Sequence, residues 1–157
     1  MSFINKESLL WKIIHNAFRF LISLAFIIVF QTLFGVENTL LGVAISVGFT
    51  MLPMCNLDIK PWTMFWIIVI LYGGSTFVAQ LSAVNPWLAF GCNFIFLSLI
   101  ILLANEPLEY QTNITFLLCF VFSQSTVVSW SQFPMRATAG IVGGIFVGGC
   151  VVLNWYR

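Results

Sequence analysis

The sequence predicts an all-α integral membrane protein with six antiparallel transmembrane helices joined by short loops. Only 7% of the 157 residues are charged, which is too few to cover the outside of a soluble helical domain. The charges between Phe20 and Tyr156 stand at a few positions that divide the chain into apolar runs. Most of these runs have the length, roughly 20 residues, that a helix needs to cross a bilayer.

The elements follow from these runs in chain order. Residues 1–16 form a cytoplasmic or interfacial segment, because their apolar side chains recur at helical spacing. The membrane domain covers residues 17–157. The run from Pro61 to Asn105 is about twice the length of one span. We expect it to fold back before Pro86, because proline lacks an amide donor and disfavours helix in the preceding residue. The predicted spans are residues 17–36, 38–56, 62–82, 86–104, 112–132 and 136–156.

The basic residues predict the orientation of these spans. Arg136 alone falls on one side of the predicted topology. The positive-inside rule therefore places both termini in the cytoplasm, with the helices in the cell (inner or plasma) membrane. The residues on the cytoplasmic side are Lys6, Lys12, Arg19, Lys60 and Arg157.

Several function classes are disfavoured by the sequence. The four cysteines lie on four different predicted spans or their ends, and His15 is the one histidine, so we expect no metal and no other cofactor. Glu106 and Glu109 flank Pro107 in a predicted loop, and Asp58 lies in a predicted turn before Pro61. Neither group of acidic residues suggests a catalytic site. A net charge of +1 without a basic patch predicts no nucleic-acid partner. We expect no enzyme activity, and the lipid bilayer is the first expected partner.

Polar side chains inside the predicted spans are the candidate substrate pathway, because unpaired polar groups are costly in lipid. Gln31, Gln80, Gln124 and Ser125 fall in the outer halves of the first, third and fifth spans, and Arg136 begins the sixth. If these residues converge, they form a positively biased vestibule for a small organic anion. The alternative is that the glutamines reach the headgroups and Arg136 anchors a helix end.

A glycine stripe marks the sixth span. Gly140, Gly144 and Gly148 recur every four residues. Small residues at this spacing let two helix backbones approach closely. The stripe therefore predicts tight packing against a neighbouring helix or a second subunit.

Two stretches of the chain carry a family resemblance. The first begins Phe34-Gly35-Val36-Glu37-Asn38 and ends Met51-Leu52-Pro53, and the second is Phe133-Pro134-Met135-Arg136 before Gly140 and Gly143-Gly144. In both stretches the chain resembles the N-terminal membrane half of FUSC-type proteins, which are relatives of the aromatic acid exporters. The resemblance implies a six-helix membrane half and proton-driven export of aromatic or other organic anions.

The functional prediction is a membrane transporter module for efflux of such anions. Because the sequence ends soon after the sixth span, we expect a homo-oligomer, a partner membrane chain or one half of a larger transporter. The alternative is a non-transporting membrane subunit that binds substrate for, or assembles with, a separate transport complex. Proton coupling would need a titratable group at membrane depth, and Glu37 and Glu109 both lie at span ends.

Overall fold

The computed structural model describes residues 6–52, 60–105 and 110–156, and every regular element in these ranges is helical. The all-α class and the number of helices are thus confirmed. The loop residues Asp58, Glu106 and Glu109, and Arg157, lie outside the described ranges. The helices are α1 (Lys6–Phe34), α2 (Thr39–Met51), α3 (Pro61–Ser82), α4 (Pro86–Asn105), α5 (Tyr110–Ser125) and α6 (Phe133–Trp155).

Four of these helices are long and apolar enough to cross a membrane. They are α3, α6, the part of α1 from Asn16 to Phe34, and the part of α4 from Pro86 to Leu103. The other two are shorter as described: α5 ends at Ser125, before the predicted end at 132, and α2 is described as far as Met51, while residues 53–56 of its predicted span lie outside the described ranges. With 13 residues in α2 and 16 in α5, they extend about 20 and 24 Å. Neither reaches the thickness of a bilayer core, about 30 Å.

The connections between helices follow local sequence rules. Gly35 has a φ of +87°, which residues with a Cβ rarely adopt, and it turns the chain from α1 into the short 3₁₀ helix Val36–Asn38 that precedes α2. The predicted break before Pro86 is present between α3 and α4. Asn85 caps α4 there, because its side-chain oxygen accepts a hydrogen bond of 2.9 Å from the Trp87 amide.

The N-terminal segment and the first predicted span form one continuous helix, α1. The sequence predicts a cytoplasmic or interfacial segment over residues 1–16 that leads into the first span, and the described part of this segment belongs to α1, which runs from Lys6 to Phe34. No proline or glycine interrupts this stretch, so nothing in the local chemistry stops the helix.

The centre of the molecule is the antiparallel pair of α3 and α6, which share the largest helix–helix contact in the described structure. Gly140 faces Thr76, and two turns further along, Gly148 faces Phe65. Helices α2 and α5 pack around this pair, whereas α1 and α4 lie outside. Half of the apolar segment of α3 and of α6 is buried, compared with 6% for α1 and 11% for α4.

One end of the bundle, which we name the Arg136 end, gathers the chain reversals where α1, α3 and α5 finish and α2, α4 and α6 begin. Two long-range hydrogen bonds join these reversals. The side chain of Gln132 donates to Glu37 over 2.7 Å, and that of Gln80 donates to the carbonyl of Val128 over 3.0 Å. The predicted polar residues lie toward this end.

Candidate functional site

Arg136 is the charged residue at the centre of the candidate site. It lies in the first turn of α6, after Pro134 has set the start of the helix, and it is 1% exposed. Its guanidinium reaches back to the residue after α5, where one terminal nitrogen donates to the carbonyl of Thr126 and the other to its hydroxyl. The Nε donor is buried without a hydrogen-bond partner in the described part of the chain.

The charge of Arg136 is balanced by a helix end rather than by an ion pair. Glu37 is the described carboxylate that acts electrostatically on it, yet the hydrogen bond that Glu37 accepts comes from Gln132. The carbonyl that Arg136 binds follows directly after α5, where the helix dipole is negative and favours a cation. The site therefore holds a buried cation whose Nε donor can bind a further acceptor.

Gln80 acts on the same stretch of backbone as Arg136. Its side chain, 4% exposed, binds the carbonyl of Val128, two residues after Thr126. Backbone polar groups that leave a helix inside an apolar region need such partners. Arg136 and Gln80 together therefore fasten the non-helical segment 126–128, and this explains why α5 ends earlier than the apolar run predicts.

Gln124 belongs to a separate group, which we name the amide cluster and define as Ser82, Asn93 and Gln124. The side-chain oxygen of Asn93 accepts hydrogen bonds from Gln124 over 2.7 Å and from Ser82 over 2.9 Å. The cluster joins α3, α4 and α5. Asn93 was not predicted, although it is the one amide in the apolar run 86–104, and the cost of a polar group in lipid would have drawn attention to it.

The two remaining predicted pathway residues lie apart from these contacts. Ser125 is exposed, and its hydroxyl binds the carbonyl of Phe122 in its own helix. Gln31 is half-buried on α1, and within the described ranges no hydrogen bond joins its side chain to Arg136, Gln80 or Gln124. The structure thus brings together Arg136 and Gln80, places Gln124 in the amide cluster, and leaves Gln31 and Ser125 outside.

A buried polar seam between α3 and α5 continues from this end into the bundle. On α5, Thr115, Cys119 and Ser123 recur every four residues and are all fully buried. On α3, the Ser75 hydroxyl lies 3.2 Å from the Cys119 sulfur and 3.5 Å from the Ser123 hydroxyl, and it donates to the carbonyl of Tyr72 over 2.7 Å. The i, i+4 spacing of small polar residues on α5 is the signal that could have revealed this seam.

An open groove of about 480 Å³ lies beside Arg136. Its walls include Glu37, Thr126, Ser129 and Gln132, whereas Arg136 stands behind Thr126. The rim of the groove therefore carries a negative charge, and the positive charge becomes accessible only if the segment containing Thr126 moves. Among the described residues, no group of three His, Cys, Asp or Glu side chains is placed to hold a metal ion.

The predicted packing glycines line the face of α6 that contacts α3. A Cβ on Gly140 would lie 3.2 Å from the carbonyl oxygen of Tyr72, and one on Gly148 would lie 3.3 Å from that of Phe65. Gly144 has the closest contact with the backbone of α3 among these three glycines, because its Cβ would lie 2.9 Å from the Cα of Val69. Since α3 of the same chain covers this stripe, a second subunit cannot use it.

The fold and the site define a class of protein: an all-helical bundle with four helices of membrane-spanning length and a buried arginine at one end. Comparisons of the chain with protein-family models, with curated protein sequences and with solved structures found no match. The resemblance to FUSC-type proteins therefore stays a hypothesis.

Proposed function

We propose that the chain is a multi-pass membrane module that handles small organic anions through Arg136. The four long apolar helices and the apolar exposed faces of α1 and α4 support a location in a bilayer. The observation that carries the anion assignment is the buried guanidinium, which has no hydrogen-bonded carboxylate among the described residues and whose Nε donor has no partner there. Buried cations inside a membrane mark ion or substrate pathways by default.

The early end of α5 fits this proposal. Non-helical backbone at membrane depth is tolerated where it is buried in protein or lines a cavity, and transporters place substrates beside such helix ends. Segment 126–132 is non-helical backbone of this kind. It follows α5, lines the groove and is hydrogen-bonded by Arg136 and Gln80. An arriving anion would compete with Thr126 for the guanidinium and so release the segment.

In the proposed topology all six helices cross the cell membrane, and both termini are cytoplasmic. The placement of Lys and Arg supports this orientation. Because successive helices run in opposite directions, the start of α1 and the end of α6 lie on the same side of the bundle. Epitope tags at either terminus should be protected from protease in intact cells and cleaved after permeabilisation. Cleavage of both tags in intact cells would show that the orientation is the opposite of the one proposed.

The charges around the groove give the anion proposal a two-sided test. Arg136→Gln removes the positive charge behind Thr126, whereas Glu37→Gln removes the negative charge at the rim and keeps a side chain that can bond to Gln132. Because like charges repel, the two variants should change anion handling in opposite directions. Arg136→Lys keeps the charge but loses the two-pronged contact with Thr126.

The experiment measures retention of labelled 4-hydroxybenzoate, a simple organic anion, in cells with equal amounts of each variant in the membrane. Wild-type cells should retain less than empty-vector cells. Arg136→Gln should return retention to the vector value, Arg136→Lys should lie between the two, and Glu37→Gln should retain no more than wild type. Equal retention in wild-type and vector cells would contradict export by this chain alone.

The second candidate is a membrane subunit that assembles with a partner and does not itself transport. It is favoured by the early end of α5 at Ser125, which leaves a helix end inside the bilayer that a neighbouring chain would cover. Under this alternative, all variants retain the anion equally and a second membrane protein copurifies in a fixed ratio with the wild-type chain.

A further inference from the structure

A groove follows the seam between α1 and α6 on the surface of the bundle. Its deeper part is an apolar slot of about 110 Å³, with Phe26 and Phe30 of α1 on one wall and Val142 and Phe146 of α6 on the other. Phe26 and Phe146 stack with their ring centroids 5.1 Å apart at the inner end. The slot therefore offers an aromatic, wholly apolar lining.

The groove becomes polar at the Arg136 end. There it widens into an open hollow of about 450 Å³, where Ser131 and Thr138 contribute hydroxyl groups. Leu33 and Phe34 line both the slot and the hollow, so the two adjoin. An occupant of the whole groove must be apolar along its body and polar at one end.

The length of the groove matches one leaflet of a bilayer. Its lining on α6 begins at Pro134 and ends at Phe146, a distance of about 18 Å along the helix. Half of a bilayer's hydrocarbon core is about 15 Å thick. The outer face of α1 is exposed along this seam, since only 6% of its apolar segment is buried. The groove thus opens where the acyl chains of one leaflet would lie.

The charge near the polar end distinguishes between lipid headgroups. Glu37 is exposed on the turn after α1 and lines the adjoining groove beside Thr126; its hydrogen-bond partner Gln132 follows Ser131 of the hollow in sequence. A carboxylate at this position attracts an ammonium group and repels a headgroup that is only anionic. Charge complementarity therefore favours a zwitterionic headgroup with a primary amine.

We propose that this groove binds one phospholipid, with a short stretch of one acyl chain in the slot and an amine-bearing zwitterionic headgroup in the hollow, near the turn that carries Glu37. The lipid occupies the space left between α1 and α6 and so attaches the outermost helix to the central pair. This inference rests on the membrane location in the proposed function and does not depend on anion transport.

The test uses the whole chain reconstituted in lipid nanodiscs with phosphatidylethanolamine that carries a photoreactive diazirine in one acyl chain. Val142→Trp and Val29→Trp place an indole in the slot from opposite walls. Ile145→Trp and Ile28→Trp are matched controls, because these residues are as exposed as Val142 and Val29, between 47% and 54%, but do not line the slot. Photolabelled peptides are located by mass spectrometry.

In wild type and in both controls, labelling should concentrate on the peptides that contain the slot residues. It should fall at least fivefold there in Val142→Trp and in Val29→Trp. Equal labelling in all variants, or labelling spread evenly over α1 and α4, would mean annular lipid only and would overturn the site. Using both slot variants guards against misfolding of one, and the circular dichroism of each variant must match wild type.

The headgroup assignment has its own measurement. Unlabelled phosphatidylethanolamine should displace the photolipid at least threefold better than phosphatidylglycerol does, and Glu37→Gln should abolish this preference. Equal displacement by the two lipids in wild type would overturn the charge argument. Loss of the chain from membranes on carbonate washing would instead refute the membrane location, which is a failure of the proposed function itself.

Discussion

Substituting alanine for Gly144 tests the central contact between α3 and α6. The new Cβ would lie 2.9 Å from the Cα of Val69 and 3.2 Å from the Cβ of Tyr72. The nearest atom belongs to the backbone of α3, so the two helices must separate to make room. Forced overpacking of this kind costs about 1–3 kcal/mol.

Gly149→Ala is the matched control for this substitution. Gly149 lies in the same helix, and a Cβ there would have no atom within 4 Å. Both substitutions gain the same helix propensity, about 1 kcal/mol. The difference between them therefore isolates the packing cost, and we expect the free energy of unfolding of Gly144→Ala to be lower than that of Gly149→Ala by about 1–3 kcal/mol.

The measurement is unfolding by SDS in mixed micelles, followed by tryptophan fluorescence. Gly144→Leu should lower stability further and reduce the yield of folded protein. If Gly144→Ala unfolds at the same SDS fraction as Gly149→Ala, the backbones of α3 and α6 are not as close as described, and the packing argument fails.

Two further contacts can be tested with the same unfolding assay. Gly48→Ala should be destabilising because its Cβ would collide with the Tyr72 hydroxyl. Tyr72→Phe alone should cost about 0.5–1.5 kcal/mol, since that hydroxyl is a long 3.5 Å from the Ala44 carbonyl but also hydrogen-bonds with Thr115. Combining the two should recover at least about 1 kcal/mol, and simple additivity would disprove the collision. In the amide cluster, Gln124→Leu and Asn93→Leu should each cost about 0.5–2 kcal/mol. The double variant should cost less than their sum; full additivity would show that the two amides act separately.

The helix count could be predicted from the sequence because local chemistry marks most of the boundaries. Pro61 and Pro86 begin α3 and α4 as expected, and the reversal at Asn85 is where proline rules place it. These signals act within a few residues of the boundary. They need no knowledge of which helices are neighbours.

The end of α5 could not be predicted because it depends on residues far along the chain. Thr126 leaves the helix with its carbonyl held by Arg136, and Val128 is held by Gln80, which lies 48 residues earlier. An apolar run alone cannot show that distant side chains will bind its backbone. The same limit applies to Arg136, whose position at a helix start was predicted but whose burial was not.

The place of Cys119 shows a different limit. Its sequence context suggests a small buried apolar residue, and it is indeed buried. Its contact with Ser75, however, requires α3 and α5 to be adjacent and in one register. Hydropathy gives the length of each helix but not its rotation about its own axis.

The pairing of α3 with α6 also sets the order of events during synthesis. About seventy residues separate the end of α3 from the end of α6, and ribosomes add roughly 5–20 residues per second. For roughly 4 to 15 seconds, therefore, α3 is complete while its closest neighbour is still being made. During that interval the face of α3 that will receive the glycines must be covered by lipid or by the insertion machinery. A chain released before α6 is finished would lack half of the α3–α6 pair, so the five earlier helices can pack around that pair only once α6 has been made.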